Sequence, residues 1–143
     1  MRIALAADHA GFSLKEKIKR WLARSGHTVS DCGVTNETRS DYPDEAKKAT
    51  TLVAQGVCKR GVLICGSGIG MCMTANRVKG IRAAVIRDEG DAQMSRLHND
   101  ANVACFGGRV TPEEHAVKLL DLFLSTEFEG GRHTTRVKKI DEV

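Results

Sequence analysis

The chain has 143 residues, of which 41% are hydrophobic and 28% are charged, and its net charge is +4. These values are typical of a globular protein with an ordinary core, and no apolar run approaches the roughly 20 residues that a membrane-spanning helix needs. The cationic residues are spread out rather than clustered with aromatic ones, and the N-terminus lacks the pattern of a signal peptide, so we expect a cytoplasmic protein that binds neither membrane nor nucleic acid.

The cysteines indicate neither a disulfide framework nor a zinc site. They form an odd set without a C-x-x-C pair, and three lie in or beside apolar runs where a reduced thiol packs as a small hydrophobe. The five are Cys32, Cys58, Cys65, Cys72 and Cys105.

Short apolar segments alternate with helix-period segments along the whole chain. The predicted strands are Arg2–Ala7, His27–Cys32, Gly61–Cys65, Ile81–Ile86 and Asn102–Phe106. This alternation is typical of a parallel sheet covered by helices on both faces. We therefore predict one α/β domain over residues 1–143, a Rossmann-like three-layer sandwich with a five-stranded parallel sheet.

The first predicted helix has an amphipathic pattern. Leu14 and Ile18 belong to its apolar face, and the lysines, Lys15 among them, are predicted largely on the opposite face. Gly26 is expected to end this helix, and Ser13 with Glu16 has the spacing of a capping box, the alternative being a helix that starts a turn earlier.

The last two predicted helices differ in polarity. Thr111 followed by Pro112 predicts the N-cap and first position of an amphipathic helix. After Gly130-Gly131, residues 132–140 predict a short polar helix with too few apolar residues to bury itself, so we expect it to extend to a partner subunit.

The third predicted strand runs directly into three alternating glycines, Gly66, Gly68 and Gly70, and then into a helix. Glycines let backbone N–H groups turn toward an anion, and the positive end of the following helix assists. Cys65 lies at this junction, where its thiolate would be stabilised. The alternative is that Cys65 is a core thiol.

Polar residues follow several predicted strands, and ligands of open parallel sheets bind at the carboxyl ends of the strands. Asp8-His9, Cys65 with its glycine loop and Arg109 follow strands, while His98-Asn99 precedes the last one. We predict that they meet at one rim and carry out proton transfer on an anionic metabolite. As alternatives, Asp8 and His98 are residues of helix ends and turns.

Three further patterns have competing interpretations. Arg132 and Arg136 stand one helical turn apart and predict either a phosphate clamp or a solvated basic face. The glycine loop with Asp88 about 20 residues further on partly fits a dinucleotide fingerprint and hence a nucleotide-binding regulatory module. Cys65 and Cys72 together suggest a thiol redox sensor.

Seven segments in order, nearly end to end, resemble the ribose-5-phosphate isomerase B family, which also contains the galactose-6-phosphate isomerase subunits. They are Asp8–Phe12, Asp41–Pro43, Ile64–Gly70, Gly80–Ala83, Ser95–Val103, Phe106–Val110 and Glu129–Val137.

The resemblance implies a metal-free and cofactor-free aldose–ketose isomerase that interconverts ribose 5-phosphate and ribulose 5-phosphate, a step of the pentose phosphate pathway, through a cis-enediol. It implies active sites shared between the subunits of a homodimer, or of a tetramer built from dimers. Cys65 matches the base that moves a proton between C1 and C2, Ser67 assists it, His98 matches the acid that opens the furanose ring, and Asp8 is its basic counterpart. The N–H groups from Gly66 to Gly70 would stabilise the enediolate.

The resemblance also implies which residues hold the substrate. The sugar oxygens are expected to contact Tyr42 and Asn99, and the substrate is expected to contact the loop backbone at Gly66, Gly68, Ile69 and Gly70. The phosphate is expected to contact His9, Arg109, Arg132 and Arg136. Another branch of the family places a glutamate base where this chain has Met71, so Cys65 has to be the base here. Isomerases of allose, galactose or tetrose phosphates are sibling possibilities.

Overall fold

The computed structural model describes residues 1–143 as alternating strands and helices. The strands are β1 (Arg2–Ala7), β2 (Thr28–Asp31), β3 (Arg60–Cys65), β4 (Ala83–Val85) and β5 (Val103–Gly107). The helices are α1 (Phe12–Arg24), α2 (Tyr42–Ala54), α3 (Ile69–Ala75), α4 (Glu89–Leu97), α5 (Glu113–Ser125) and α6 (Arg132–Asp141). All five predicted strands are confirmed, although the edge strands β2 and β4 are shorter than predicted.

The five strands form one parallel sheet in the order β2-β1-β3-β5-β4. From β1 the chain first moves outward to β2 and then returns to the other side of β1 to form β3. The connections that leave β1 and β3 therefore diverge, which opens a crevice at the carboxyl ends of these two strands. The predicted Rossmann-like α/β class is confirmed.

Helices cover both faces of the sheet and bury its apolar side chains in two clusters. On one face α1 and α5 contribute residues such as Ile18 and Phe123, and on the other α2 and α3 contribute residues such as Ala49 and Met71. Each large side chain buried in this way stabilises the fold by about 1.5–3 kcal/mol. This arrangement fixes the strand ends around the crevice.

The prediction that Lys15 lies on the solvent face of α1 is wrong, because its side chain is only 1% exposed. Its ammonium group donates to Asp31 at the end of β2 at 2.7 Å and to Glu16 at 2.8 Å. Lys19 donates to the same Asp31 oxygen at 2.8 Å. Burial raises the pKa of the Asp31 carboxyl, but the hydrogen bonds from the two lysines outweigh burial and lower it below its ordinary value of 3.8.

Replacing Asp31 with asparagine is therefore expected to lower the free energy of unfolding by about 1–3 kcal/mol near neutral pH, because a buried ammonium loses a charged partner. The native pKa of Asp31 lies below its unfolded value, so this stabilisation is complete above that unfolded value and is lost as the pH falls through the native pKa. Urea denaturation at neutral and strongly acidic pH measures the difference. A difference in the free energy of unfolding between wild type and Asp31→Asn that persists at acidic pH would contradict the ion-pair explanation. Glu16→Gln is the control, and it is expected to lower the free energy of unfolding less.

Two predicted helix starts differ from the structure. The first helix starts at Phe12, one residue before Ser13, with Gly11 as N-cap and no side-chain cap, so the Ser13–Glu16 capping box does not form. The fifth helix starts at Glu113 with Pro112 as N-cap, and Thr111 provides no capping hydrogen bond. Gly26 does follow the end of α1, with φ of +82°.

Helix α6 is only loosely attached to the rest of the chain. Among its residues only His133 and Val137 are buried, and Ile140 is 46% exposed. Its last residue, Asp141, accepts a hydrogen bond from Arg82 at 2.7 Å. The polar character predicted for this helix is confirmed, and its contact with a partner subunit stays a prediction. None of the six helices has the length and apolarity that crossing a membrane requires.

Candidate active site

The crevice between β1 and β3 holds a cavity of about 640 Å³ at the carboxyl ends of the strands. Many of the predicted site residues line it. The lining consists of Asp8, His9, Ala10, Tyr42, Cys65, Gly66, Ser67, Ile69, Gly70, Met73, Arg109 and Val110. The topology therefore brings together the residues that follow β1, β3 and β5, as predicted from their places in the sequence.

Cys65 is the last residue of β3 and has 4% of its surface exposed, so it is a mostly buried thiol at the wall of the cavity. The backbone N–H of Gly68 donates to its Sγ at 3.2 Å. An N–H donor of this kind stabilises negative charge on sulfur. The side chain packs in the core on one side and lines the cavity on the other, and the catalytic role of Cys65 stays a prediction.

The loop after β3 presents backbone donors to the cavity. The N–H groups of Gly66, Ser67 and Gly70 make no hydrogen bond within the chain. Gly68 turns the loop with φ of +80°, and a Cβ placed there would lie 2.9 Å from the carbonyl carbon of Phe106. The loop thus requires glycine at this position, and its unpaired N–H groups are free to donate to a ligand next to Cys65.

Replacing Gly68 with alanine is expected to destabilise the fold by more than the roughly 1–2 kcal/mol that a left-handed backbone alone costs an L-residue. The extra cost comes from the contact with the backbone at Phe106. Gly26→Ala is the matched control, because Gly26 has φ of +82° and nothing within 4 Å of a built Cβ. Thermal or urea unfolding compares the two variants, and equal losses would show that the loop has room for a methyl group.

Asp8 and His9 follow β1 and have well-defined partners. The Oδ1 atom of Asp8 accepts from the N–H groups of Ala10 and Gly11, each at 3.0 Å, which leaves Oδ2 for a ligand. The N–H of Ser40 donates to Nδ1 of His9 at 3.2 Å. Since Nδ1 accepts, the proton of the neutral His9 ring is on Nε2, where it can be donated to an anion.

Tyr42 and Arg109 approach the loop from two sides. A Cβ built on Gly70 would lie 2.6 Å from the Tyr42 ring, and one built on Gly66 would lie 3.2 Å from Nη1 of Arg109. Both side chains therefore lie directly over glycine backbone. Arg109 is exposed and makes no ion pair with any carboxylate of the chain, so its charge is available for an anionic ligand.

The prediction of a single rim is wrong within one chain for His98 and Asn99, because neither lines this cavity. Arg132 and Arg136, on the helix predicted to extend to a partner subunit, do not line it either. His98 caps the end of α4, just before β5. A helix that connects two parallel strands carries the chain back to the edge where strands begin, so residues before β5 lie at the edge opposite Cys65. Consistent with this, the carbonyl of Asn102 accepts from the N–H of Gly61 near the start of β3.

A second cluster of polar side chains surrounds His98. Its ring stacks on that of His133, with ring centroids 4.2 Å apart and 13° between the planes. The Nε2 atoms of His98 and His133 lie 3.7 and 3.8 Å from Oε2 of Glu129. Burial and the nearby His98 lower the pKa of His133. The sequence analysis did not identify Glu129 and His133 as candidate site residues. Their spacing of four residues, with two glycines between them, was the available signal.

Arg132 and Arg136 are both exposed, on the first two turns of α6 next to this cluster. The predicted single helical turn between them is present. Together with His98 and Asn99 they form a surface of the chain separate from the cavity.

The dinucleotide interpretation loses its structural basis. The Asp88 side chain accepts from the N–H of Asp91 at 2.8 Å as the N-cap of α4, and β5 separates β4 from β3, so Asp88 is no partner of the glycine loop. Contact with Cys105 lowers the pKa of the Cys72 thiol to about 7, and all five cysteines are free thiols, so the redox interpretation stays untested.

Comparison with known proteins agrees with this geometry. A family model described as Ribose/Galactose Isomerase matches residues 3–140. Ribose-5-phosphate isomerase B of Escherichia coli K12 is 43% identical over 142 residues, covering 99% of this chain and 95% of that protein.

Solved structures give the same result. Ribose-5-phosphate isomerase B of Clostridium thermocellum has a TM-score of 0.98 at 45% identity, covering 99% of this chain and 96% of that one. The Mycoplasma genitalium enzyme, with bound ribulose-5-phosphate, has a TM-score of 0.94 at 39% identity, covering 99% and 94% of the two chains. The chain therefore belongs to the Ribose/Galactose Isomerase family and is an aldose–ketose isomerase of the ribose-5-phosphate isomerase B group.

Proposed function

We propose that this enzyme interconverts D-ribose 5-phosphate and D-ribulose 5-phosphate through a cis-enediol, with Cys65 as the base. The observation that supports this best is the position of the Cys65 Sγ, which accepts the Gly68 N–H at the wall of a cavity whose loop has unpaired backbone N–H groups. The relatives named ribose-5-phosphate isomerase B support the choice of sugar.

In the proposed reaction the Cys65 thiolate takes the proton from C2 of the open-chain aldose, and the electron pair of that C–H bond forms the C1–C2 double bond while O1 becomes an oxyanion. The N–H groups of Gly66 and Ser67 are free to donate to that charge. The thiol then returns the proton to C1, and the proton on O2 moves to O1 with the help of the Ser67 hydroxyl, which leaves the carbonyl at C2. Prearranged donors at a developing oxyanion supply a large share of catalysis.

We infer that a second copy of the chain completes each active site. A ring-opening acid has to reach within hydrogen-bond distance of the sugar, and His98 lies at the edge of the sheet opposite the cavity of its own chain. Asn99, Arg132 and Arg136 share this position. A homodimer that places the His98 surface of one copy over the Cys65 cavity of the other brings the two halves together, and a tetramer of such dimers is compatible.

The phosphate-binding groups divide in the same way. His9, with a proton on Nε2, and the unpaired Arg109 come from the cavity, and the exposed Arg132 and Arg136 come from the second copy. Asp8 is the basic counterpart of His98 in ring opening, while Tyr42 and Asn99 hold sugar oxygens. In this proposal residues 1–143 act as one catalytic domain, and its expected cytoplasmic location stays a prediction from the sequence.

The test is a panel of aldose phosphates with four, five and six carbons, including allose 6-phosphate and galactose 6-phosphate, assayed for the matching ketose after chelator treatment. We expect the highest kcat/KM with ribose 5-phosphate. Preference for a six-carbon or four-carbon substrate would move the assignment to a sibling activity. Absence of turnover with every member would contradict the proposed function.

A further inference from the structure

We propose that Glu129, His98 and His133 form a binding site for a divalent transition-metal ion such as Zn²⁺, and that the bound ion inhibits the enzyme reversibly. The binding part stands independently of the reaction. The inhibitory part rests on the proposed function, in which His98 opens the sugar ring.

The spacing of the ligand atoms carries the proposal. One ring nitrogen of His98, one ring nitrogen of His133 and a carboxylate oxygen of Glu129 all lie within 4.8 Å of one another. The two N···O distances, 3.7 and 3.8 Å, are too long for hydrogen bonds. Ligand atoms at about 2.0–2.1 Å from a tetrahedral zinc ion lie roughly 3.3–3.5 Å apart, so each of the two N···O distances needs to shorten by only a few tenths of an ångström.

His133 provides an independent observation that points to a ligand. Its side chain is 5% exposed, and its buried Nε2 has no hydrogen-bond partner. A buried ring nitrogen without a partner is costly, and a metal ion would satisfy it. Two histidines and one glutamate are a common zinc ligand set, which leaves a fourth position for water.

Binding requires a small rearrangement of the stacked rings. Their nitrogen lone pairs lie in nearly parallel planes, because only 13° separates the rings, so the rings have to tilt for both lone pairs to point at one ion. His98 is the ring that is free to move, since 36% of its side chain is exposed. Glu129 is 55% exposed and precedes two glycines, so it can adjust as well. The exposed Arg132 next to the site disfavours a cation, and we therefore expect reversible rather than structural binding.

The ion would inhibit because it occupies the nitrogen that His98 needs for proton transfer. A ring nitrogen bound to a metal ion can neither carry nor accept a proton. Removal of the ion by a chelator is expected to restore activity completely.

The experiment uses the full-length chain after chelator treatment, titrated with Co²⁺ and monitored by its visible d–d absorption, with Zn²⁺ as competitor. Glu129→Gln and His133→Ala are expected to weaken Co²⁺ binding by at least about tenfold, since even partners beyond the metal's direct ligands contribute 10–100-fold. His115→Ala is the matched control, because His115 is an exposed histidine elsewhere on the chain and its loss should change neither binding nor activity.

Glu129→Gln keeps the test valid if His133→Ala, which alters a buried side chain, fails to fold. Wild-type Co²⁺ affinity in Glu129→Gln would overturn the site. If Cys65→Ala lost Co²⁺ binding while Glu129→Gln kept it, the ion would be bound by the thiol and the site would also be overturned. Zinc that binds through Glu129 without slowing an active enzyme would overturn the inhibitory part. Binding by a protein that isomerises no sugar phosphate would leave the metal site standing and contradict the proposed function alone.

Discussion

Replacing Cys65 with alanine is expected to lower kcat for ribose 5-phosphate isomerisation by about 10²–10⁴-fold, which is the contribution of a positioned acid–base group. KM should change little, because the phosphate and the sugar hydroxyls keep their proposed partners. The substitution leaves the loop backbone in place, so the unpaired N–H groups still bind an oxyanion. Steady-state kinetics on the chelator-treated protein measures the effect.

Cys72→Ala is the matched control for this prediction. Cys72 is half-buried, does not line the cavity, and donates to the carbonyl of Ala83 at 3.4 Å. Its pKa of about 7 makes it the other cysteine that a thiol reagent would modify near neutral pH, so alkylation alone would not separate the two. Parental activity in Cys65→Ala would contradict the assignment of the base. A large loss in Cys72→Ala would show that α3 packing controls the rate.

Met71 cannot replace Cys65 as the base. Met71 stands where another branch of the family carries glutamate, and its side chain is fully buried in the core beneath the loop. A thioether cannot take up the proton. A residual rate in Cys65→Ala would then come from the loop donors and substrate positioning.

Mixing two inactive variants, Cys65→Ala and His98→Asn, is expected to recover about a quarter of the wild-type activity after the subunits are dissociated and allowed to reassociate. Random reassociation makes half of the dimers mixed. In each mixed dimer one site has Cys65 from one copy and His98 from the other, both intact, while the second site has neither. The measurement is kcat per subunit before and after mixing.

A second mixture controls for partial refolding and for residual activity. Cys65→Ala with Asp8→Asn should show no recovery, because both residues line the same cavity and every site of a mixed dimer keeps one defect. Recovery in this control would show that mixing itself restores activity. Failure of the first mixture, with mixed dimers demonstrated by size-exclusion or mass measurement, would contradict an active site shared between two copies.

Local patterns were sufficient for much of the fold. The apolar runs predicted all five strands, most fully the central strands β1, β3 and β5, which are buried on both faces of the sheet. Gly26 predicted the end of α1 because it adopts positive φ. Lys15 could not be placed correctly from helical periodicity. Its burial depends on Asp31, which lies on a different strand and comes next to it only when β2 joins the sheet.

The candidate site was likewise predicted from the sequence only in part. Asp8, Cys65 and Arg109 were grouped correctly, since each follows a strand and all strands of this sheet end at one edge. His98 was grouped with them incorrectly, because its place before β5 puts it at the other edge. Closeness to a strand in sequence does not specify which end of that strand a residue occupies unless the direction of the chain is included.

The sequence by itself determined the elements, the glycine loop with its cysteine, and the family, because each of these is encoded in short runs of residues. Only the tertiary structure decided that the predicted site residues form two separate surfaces, one around Cys65 and one around His98, Glu129 and His133. The physical reason is that strand order and chain direction bring distant residues together or apart, and no local pattern contains that information.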